Sequence, residues 1–174
     1  MSEDFSTKFI KIVKQIEDNL PNEFQKQHMI NYDGKISPLC ASFSLNEEKK
    51  WLGMLSTGKT THCHEYRLVY SEPQLDVNKL KNWWDFLCNQ QKKLIPVDSF
   101  HEFSLVSLIL ICGSADDESL KTLKKLDNRL QYNQINQNGW SNARLAVINL
   151  EKNKIYASKS GDSLVSTLKN IDIS

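Results

Sequence analysis

Eight residues, Gly53-Met-Leu-Ser-Thr-Gly58-Lys59-Thr60, place two glycines, a lysine and a hydroxyl at the spacing G-x-x-x-x-G-K-[ST]. In that arrangement the amides of a glycine-containing turn cradle phosphate, Lys59 reaches the terminal phosphates and Thr60 ligates Mg²⁺. Two residues further on stands His62-Cys63-His64-Glu65. Alternate residues of a strand share a face, so His62 and His64 can offer imidazoles to one metal ion while Cys63 points the other way. With Glu65 as the neighbouring carboxylate, the trio is a candidate site for a divalent metal. A zinc site needs a third protein ligand, for which His28, His101 or a carboxylate is available. Either reading would make the chain a metal- or nucleotide-dependent enzyme.

The eight-residue string resembles the phosphate loop of P-loop NTPases, and the resemblance extends no further along the chain. Residues 51–56 and 62–71 read as strands with Thr57-Gly58-Lys59 as the turn between them, whereas a phosphate loop opens a helix. A second resemblance lies in the order of elements. Helix, β-meander, helix and buried strand are similar to the core of the restriction-endonuclease-like nucleases, which hold Mg²⁺ with a carboxylate pair and a lysine on adjacent strands. That resemblance implies an acid-x-Lys element at Asp33-Gly34-Lys35 or Glu65-Tyr66-Arg67, with Glu17 as the helix carboxylate. Arg67 stands where that family has lysine, and Asp33 falls in a hairpin turn. Nucleophile chemistry finds no support: there is no G-x-S-x-G, and no cysteine has neighbours that would depress its pKa. Asp116-Asp117-Glu118 reads as a set of acids complementing a helix dipole.

The elements that must position these groups follow from periodicity. Residues 103–112, Phe-Ser-Leu-Val-Ser-Leu-Ile-Leu-Ile-Cys, form the longest apolar run and read as a central strand buried on both faces. Phe5, Phe9, Ile12, Val13, Ile16 and Leu20 form one helical stripe, with Ser2 as N-cap and Pro21 as the stop. Strands over 27–32 and 35–45 flank the hairpin signal Asp33-Gly34, and 46–50 reads as a charged turn before the third and fourth strands of a meander. Asp76 caps a helix to residue 92 whose stripe is Val77, Leu80, Trp84 and Leu87, so Trp83 lies to one side and is expected to remain partly exposed. A helix begins near Ser114 and continues to Leu130. A polar loop over 132–142 carries Trp140, strands over 143–150 and 154–158 form a hairpin, and a last helix starts at Gly161-Asp162. The fold class is α+β: one domain over 1–174, a mostly antiparallel or mixed sheet packed by about four helices.

Bulk properties bound the function. The chain's 174 residues suffice for a core without staples, and 40% apolar with 25% charged residues excludes a disordered chain. A formal net charge of +1 gives no global attraction to nucleic acid or to anionic membrane. Four scattered cysteines, no apolar leader and no run long enough to span a bilayer point to a cytoplasmic protein with reduced thiols. A complete core pattern, no coherent catalytic constellation and surplus aromatics lead to the expectation of a small protein-binding or accessory protein. It would act in the manner of a chaperone, regulator or toxin-neutralising protein, with no cofactor. Trp83 and Trp140 are its expected contact residues. The metal- or nucleotide-dependent enzyme is the alternative.

Overall fold

The computed structural model describes residues 4–51 and 55–174, the side chains of 48–51 and 55–59 excepted. In chain order, α1 (Phe5–Asp18) is followed by β1 (Gln25–Gln27), β2 (Ile30–Tyr32), β3 (Lys35–Ser37), β4 (Leu39–Trp51) and β5 (Leu55–Leu75). Then come α2 (Val77–Leu94), β6 (His101–Ala115), α3 (Asp117–Leu123), β7 (Asn128–Gln131), β8 (Trp140–Asn149), β9 (Lys154–Ala157) and α4 (Asp162–Thr167). Seven strands make one mixed sheet in the order β1-β4-β5-β6-β8-β7, with β9 also paired to β8. β6 runs parallel to β5 on one side and to β8 on the other. The remaining pairs in that sheet are antiparallel. A separate two-stranded sheet, β2-β3, completes a single α+β domain.

The apolar run occupies β6, and its alternation divides the interior into two cores. Leu108 and Leu110 face Leu80 and Leu87 of α2 and Leu120 and Leu123 of α3. Ile109 and Ile111 face Ile12 and Ile16 of α1 and Leu164 of α4. Each fully buried aliphatic side chain contributes about 1.5–3 kcal/mol of transfer free energy, so covering both faces of this strand is a dominant favourable term. Asp76 caps α2 as expected, accepting the Lys79 amide at 2.8 Å. α3 is capped by Asp116 rather than Ser114. The expected α1 cap, Ser2, lies outside the described residues; within them Asp4 is the N-cap and makes no side-chain cap bond.

The meander differs from expectation in two places. The Asp33-Gly34 turn forms, with both residues at positive φ (52° and 84°), but its strands pair only over 30–32 and 35–37 and stay out of the main sheet. Beyond it the chain makes one long hairpin, not two short ones. β4 continues through the charged residues 46–50, and β5 through Gly58-Lys59, with Glu47 opposite Thr61 and Lys49 opposite Lys59. Residues 46–50 and 57–59 are polar, charged or glycine and carry no period-two apolar signal, so composition alone reads them as turn. β7 was also unforeseen. Leu126 and Leu130 fit a helical stripe, yet Asn128–Gln131 also alternates, and the open edge of β8 offers it backbone partners.

The phase of α2 is a further correction. Its buried arc runs through Leu80, Trp83, Phe86, Leu87, Gln90 and Gln91, which puts Trp83 at the centre (9% exposed) and leaves Trp84 half-buried at the margin. Trp83 packs on Tyr70 and Phe86, with centroids 5.0 and 5.8 Å away, and its Nε1 donates to Glu72 at 3.2 Å. Two glutamines hid this phase from a hydrophobicity count. Gln90 donates to Asp33 (2.6 Å) and Gln91 to Ser141 (2.8 Å), so both are buried with their polarity satisfied. Trp83→Ala should therefore cost about 3–5 kcal/mol of stability, and Trp84→Ala clearly less. Urea melts of the two variants, read by far-UV circular dichroism, check this ordering.

Candidate functional site

Strand geometry separates the residues that sequence proximity put together. His62 Nδ1 lies 2.7 Å from Asp98 Oδ2, in the connection between α2 and β6. His64 faces Ser44 on β4, Nδ1 to Oγ 2.9 Å, and stacks parallel to His101 at 6.2 Å. Glu65, one residue on, points through the opposite face of the sheet, where it accepts from Arg67 Nε and Arg144 Nη2, each at 2.8 Å. The trio His62, His64 and Glu65 therefore does not converge, and no cluster of three metal-ligating residues occurs among the described residues. The acids of the nuclease-like reading are likewise dispersed. Asp33 binds Lys93 and Gln90, and Glu17 lies 2.9 Å from His28 Nε2.

Part of the phosphate-loop string, Gly53 and Met54, lies outside the described residues. The rest, including Gly58, Lys59 and Thr60, is strand: Leu55, Ser56, Lys59 and Thr60 pair with β4 across a register shift at Lys49/Lys50 that passes over Thr57 and Gly58, and the strand leads into more of β5. The string runs on as strand and opens no helix, so it lacks the helix N-terminus that a phosphate loop sets against its anion.

Glu65 anchors a polar network that the sequence did not announce. Arg144 is 5% exposed, and its Nε and Nη2 donate to Ser107 Oγ at 3.0 and 2.8 Å while Nη1 donates to Ser163 at 3.0 Å. Register explains the meeting, because Arg67, Ser107 and Arg144 are directly opposite one another on β5, β6 and β8. Burial pushes the Arg144 guanidinium below its usual pKa, and Glu65 pulls it back. Trp140 lies beside this half of the sheet. It is half-buried, stacked on Phe103 at 5.4 Å and covered by the Arg129 guanidinium at 4.0 Å.

A cluster of exposed apolar side chains lies elsewhere, between α1 and the β2-β3 hairpin. Ile10 (67% exposed), Met29 (66%) and Ile36 (54%) rim two adjoining grooves of about 470 and 390 Å³ that share Phe9 and Pro38. Tyr70 and Trp83 line the second groove, so Trp83 is part of its wall and no projecting anchor. Met29 holds φ at 55°, a left-handed conformation unusual for methionine. Local backbone strain of this kind typically costs about 1–3 kcal/mol and concentrates at functional sites. Lys35 lines one groove, its Nζ 4.5 Å from the Trp83 ring centre, and Lys14, Glu17 and Asp18 line the other. Sequence reasoning missed this patch because Ile10, off the α1 stripe, reads as a single surface apolar residue, and its neighbours Met29 and Ile36 come from a hairpin distant in sequence.

The fold and this patch describe an α+β domain with two covered cores and one rimmed apolar groove. The chain belongs to the family described as Domain of unknown function (DUF8052), whose model matches residues 8–170. Comparisons with curated proteins and with solved structures found no match. No helix among the described residues is long and apolar enough to cross a membrane.

Glu65 is the sole carboxylate bonded to both guanidiniums in the polar network. Glu65→Gln would leave Arg144 buried without its counter-charge, and breaking a buried pair on one side costs about 3–5 kcal/mol. Guanidinium chloride melts of this variant should show a loss of that size.

Proposed function

We propose that this protein works by binding another protein, and that the groove between α1 and the β2-β3 hairpin receives it. One observation carries the reading: three of the five most exposed large apolar side chains among the described residues, Ile10, Met29 and Ile36, gather around a single pair of grooves. Scattered surface apolar residues need no explanation, but a contiguous rimmed patch marks an interaction site. The occupant we infer is an amphipathic helix of the partner. Its aliphatic side chains, one or two turns apart, fill the two grooves, in the helix-in-groove mode of recognition. Lys35 at one end favours an acidic residue on the helix there, while Lys14, Glu17 and Asp18 give the other end mixed charge. A cytoplasmic setting accords with four free cysteines.

The test begins with a photo-crosslinking residue at position 36, with one at the exposed Ile135 as control. A protein captured only from position 36 is then purified and titrated against wild type, Ile36→Asp and Met29→Asp. Each substitution should weaken binding by more than about 1 kcal/mol, roughly fivefold. Because both side chains are exposed, stability should change by less than about 0.5 kcal/mol. Unchanged affinity in both variants would overturn the reading. So would sedimentation data showing that a second copy of this chain fills the groove.

A further inference from the structure

Three of the four histidines lie together where β5 and β6 begin to pair, under the connection 95–100. We infer that His64 and His101 form an acid-sensitive latch: adding a proton to His64 opens that connection and loosens the adjoining parts of β4, β5 and β6.

The two stacked rings, His64 and His101, are held by uncharged partners. His64 is 8% exposed; its Nδ1 meets the Ser44 hydroxyl and its Nε2 is buried without a hydrogen-bond partner. The ring beside it, His101, is held at both nitrogens. Nδ1 donates to the Asn138 carbonyl at 2.8 Å, and Nε2 meets Ser104 Oγ at 2.7 Å. A carbonyl only accepts, so Nδ1 carries the proton and Ser104 donates to Nε2. The two rings are parallel within 8°, and Tyr132 closes the far side of His101, ring centres 5.4 Å apart. Gly139 allows the Asn138 loop to come this close: a side chain there would collide with the Glu102 carbonyl. The connection itself is pinned to the same layer. Asp98 O accepts the His101 and Asn138 amides, and the His62 amide donates to Phe100 O.

A proton on His64 has nowhere favourable to go. The charged or titratable groups that act on it are His62 on its own strand, His101 on β6 and Asp98 from the connection. The β4 partner, Ser44, is neutral. Glu102, next to His101 in sequence, lines the neighbouring cleft together with it. Asp98 is engaged already, 2.7 Å from His62 Nδ1 and accepting the Phe100 amide at 2.8 Å. Whichever nitrogen takes the proton, the imidazolium carries an N–H at Nε2 that finds no acceptor among the described residues, and its charge is buried beside a second imidazole, which is costly. Burial first, then His101 and His62, hold His64 below the ordinary histidine pKa, with Asp98 pulling the other way.

The sign follows from linkage. The folded-state pKa lies below the unfolded value of about 6.5, so the unfolded or opened chain takes the proton first. The contribution to stability is present above about pH 6.5 and is lost as pH falls toward the folded-state pKa. Over that window the opening equilibrium shifts by up to about tenfold per pH unit for one displaced proton.

The experiment uses the full chain between about pH 7.5 and about pH 5. Imidazole resonances are titrated by NMR, amide exchange at His62, His101 and Asn138 is corrected for its intrinsic pH dependence, and Tm is followed in parallel. His64 should titrate below pH ~6.5, the three amides should lose protection together as it does so, and H64Q should lose most of the acid-induced fall in Tm. A His64 that titrates at or above pH ~6.5 with the amides still protected overturns the latch. So does an H64Q protein whose Tm falls with pH as steeply as wild type. If H64Q fails to fold, the titration and exchange data on wild type decide alone.

Discussion

β6 has no face that tolerates water. From Leu108 to Cys112 every side chain is fully buried, and its backbone is satisfied on both sides by parallel partners. A strand in that position requires helices on both sides of the sheet, and the chain provides them in two pairs. α2 and α3 take one face, while α1 and α4, from opposite ends of the sequence, take the other. Parallel pairing with β5 also requires a crossover, which is why α2 and the connection 95–100 lie where they do. The histidine layer under that connection is thus a by-product of how β6 enters the sheet.

Toward the start of β6 the constraint relaxes and polar chemistry enters. Ser107 is an early small residue of the same strand, and it leaves room for Arg144 to reach across to Glu65. Such a network specifies register: a slip of one residue would turn Glu65 to the other face and leave a buried guanidinium unpaired. On the first core's side, Gln90 and Gln91 do similar work. They tie α2 to the β2-β3 turn through Asp33 and to β8 through Ser141. The small β2-β3 sheet is thereby fixed against α2 and forms one wall of the groove.

Much of the architecture was legible in the order of residues. The α1 stripe, the Asp76 cap, the Asp33-Gly34 turn, the β6 run and the C-terminal hairpin each carry a local signal, a periodicity or a turn chemistry, that acts over a few residues. The α+β class follows from them. What went unseen depended on partners distant in sequence. The ribbon of β4 and β5 is extended because each strand supplies the other's hydrogen bonds, whatever its charge. α2 turned one residue from its expected phase because Asp33 and Ser141 could satisfy buried glutamines.

The candidate sites divide along the same line. Spacing alone placed His62 and His64 on one strand, and strand alternation already put Glu65 on the other side. Only the register of β5 with its neighbours could show that Glu65 meets Arg144, 79 residues away, and that His64 lies against His101. Trp83 was recognisable as an aromatic to be explained. Whether it projected or lined a groove was decided by the β2-β3 hairpin, Lys35 lying over its ring. Local sequence determines which elements form, because their signals act within a turn or a pleat. Tertiary structure decides which side chains share a site, because that depends on which faces are left to cover and which polar atoms can be satisfied once they are.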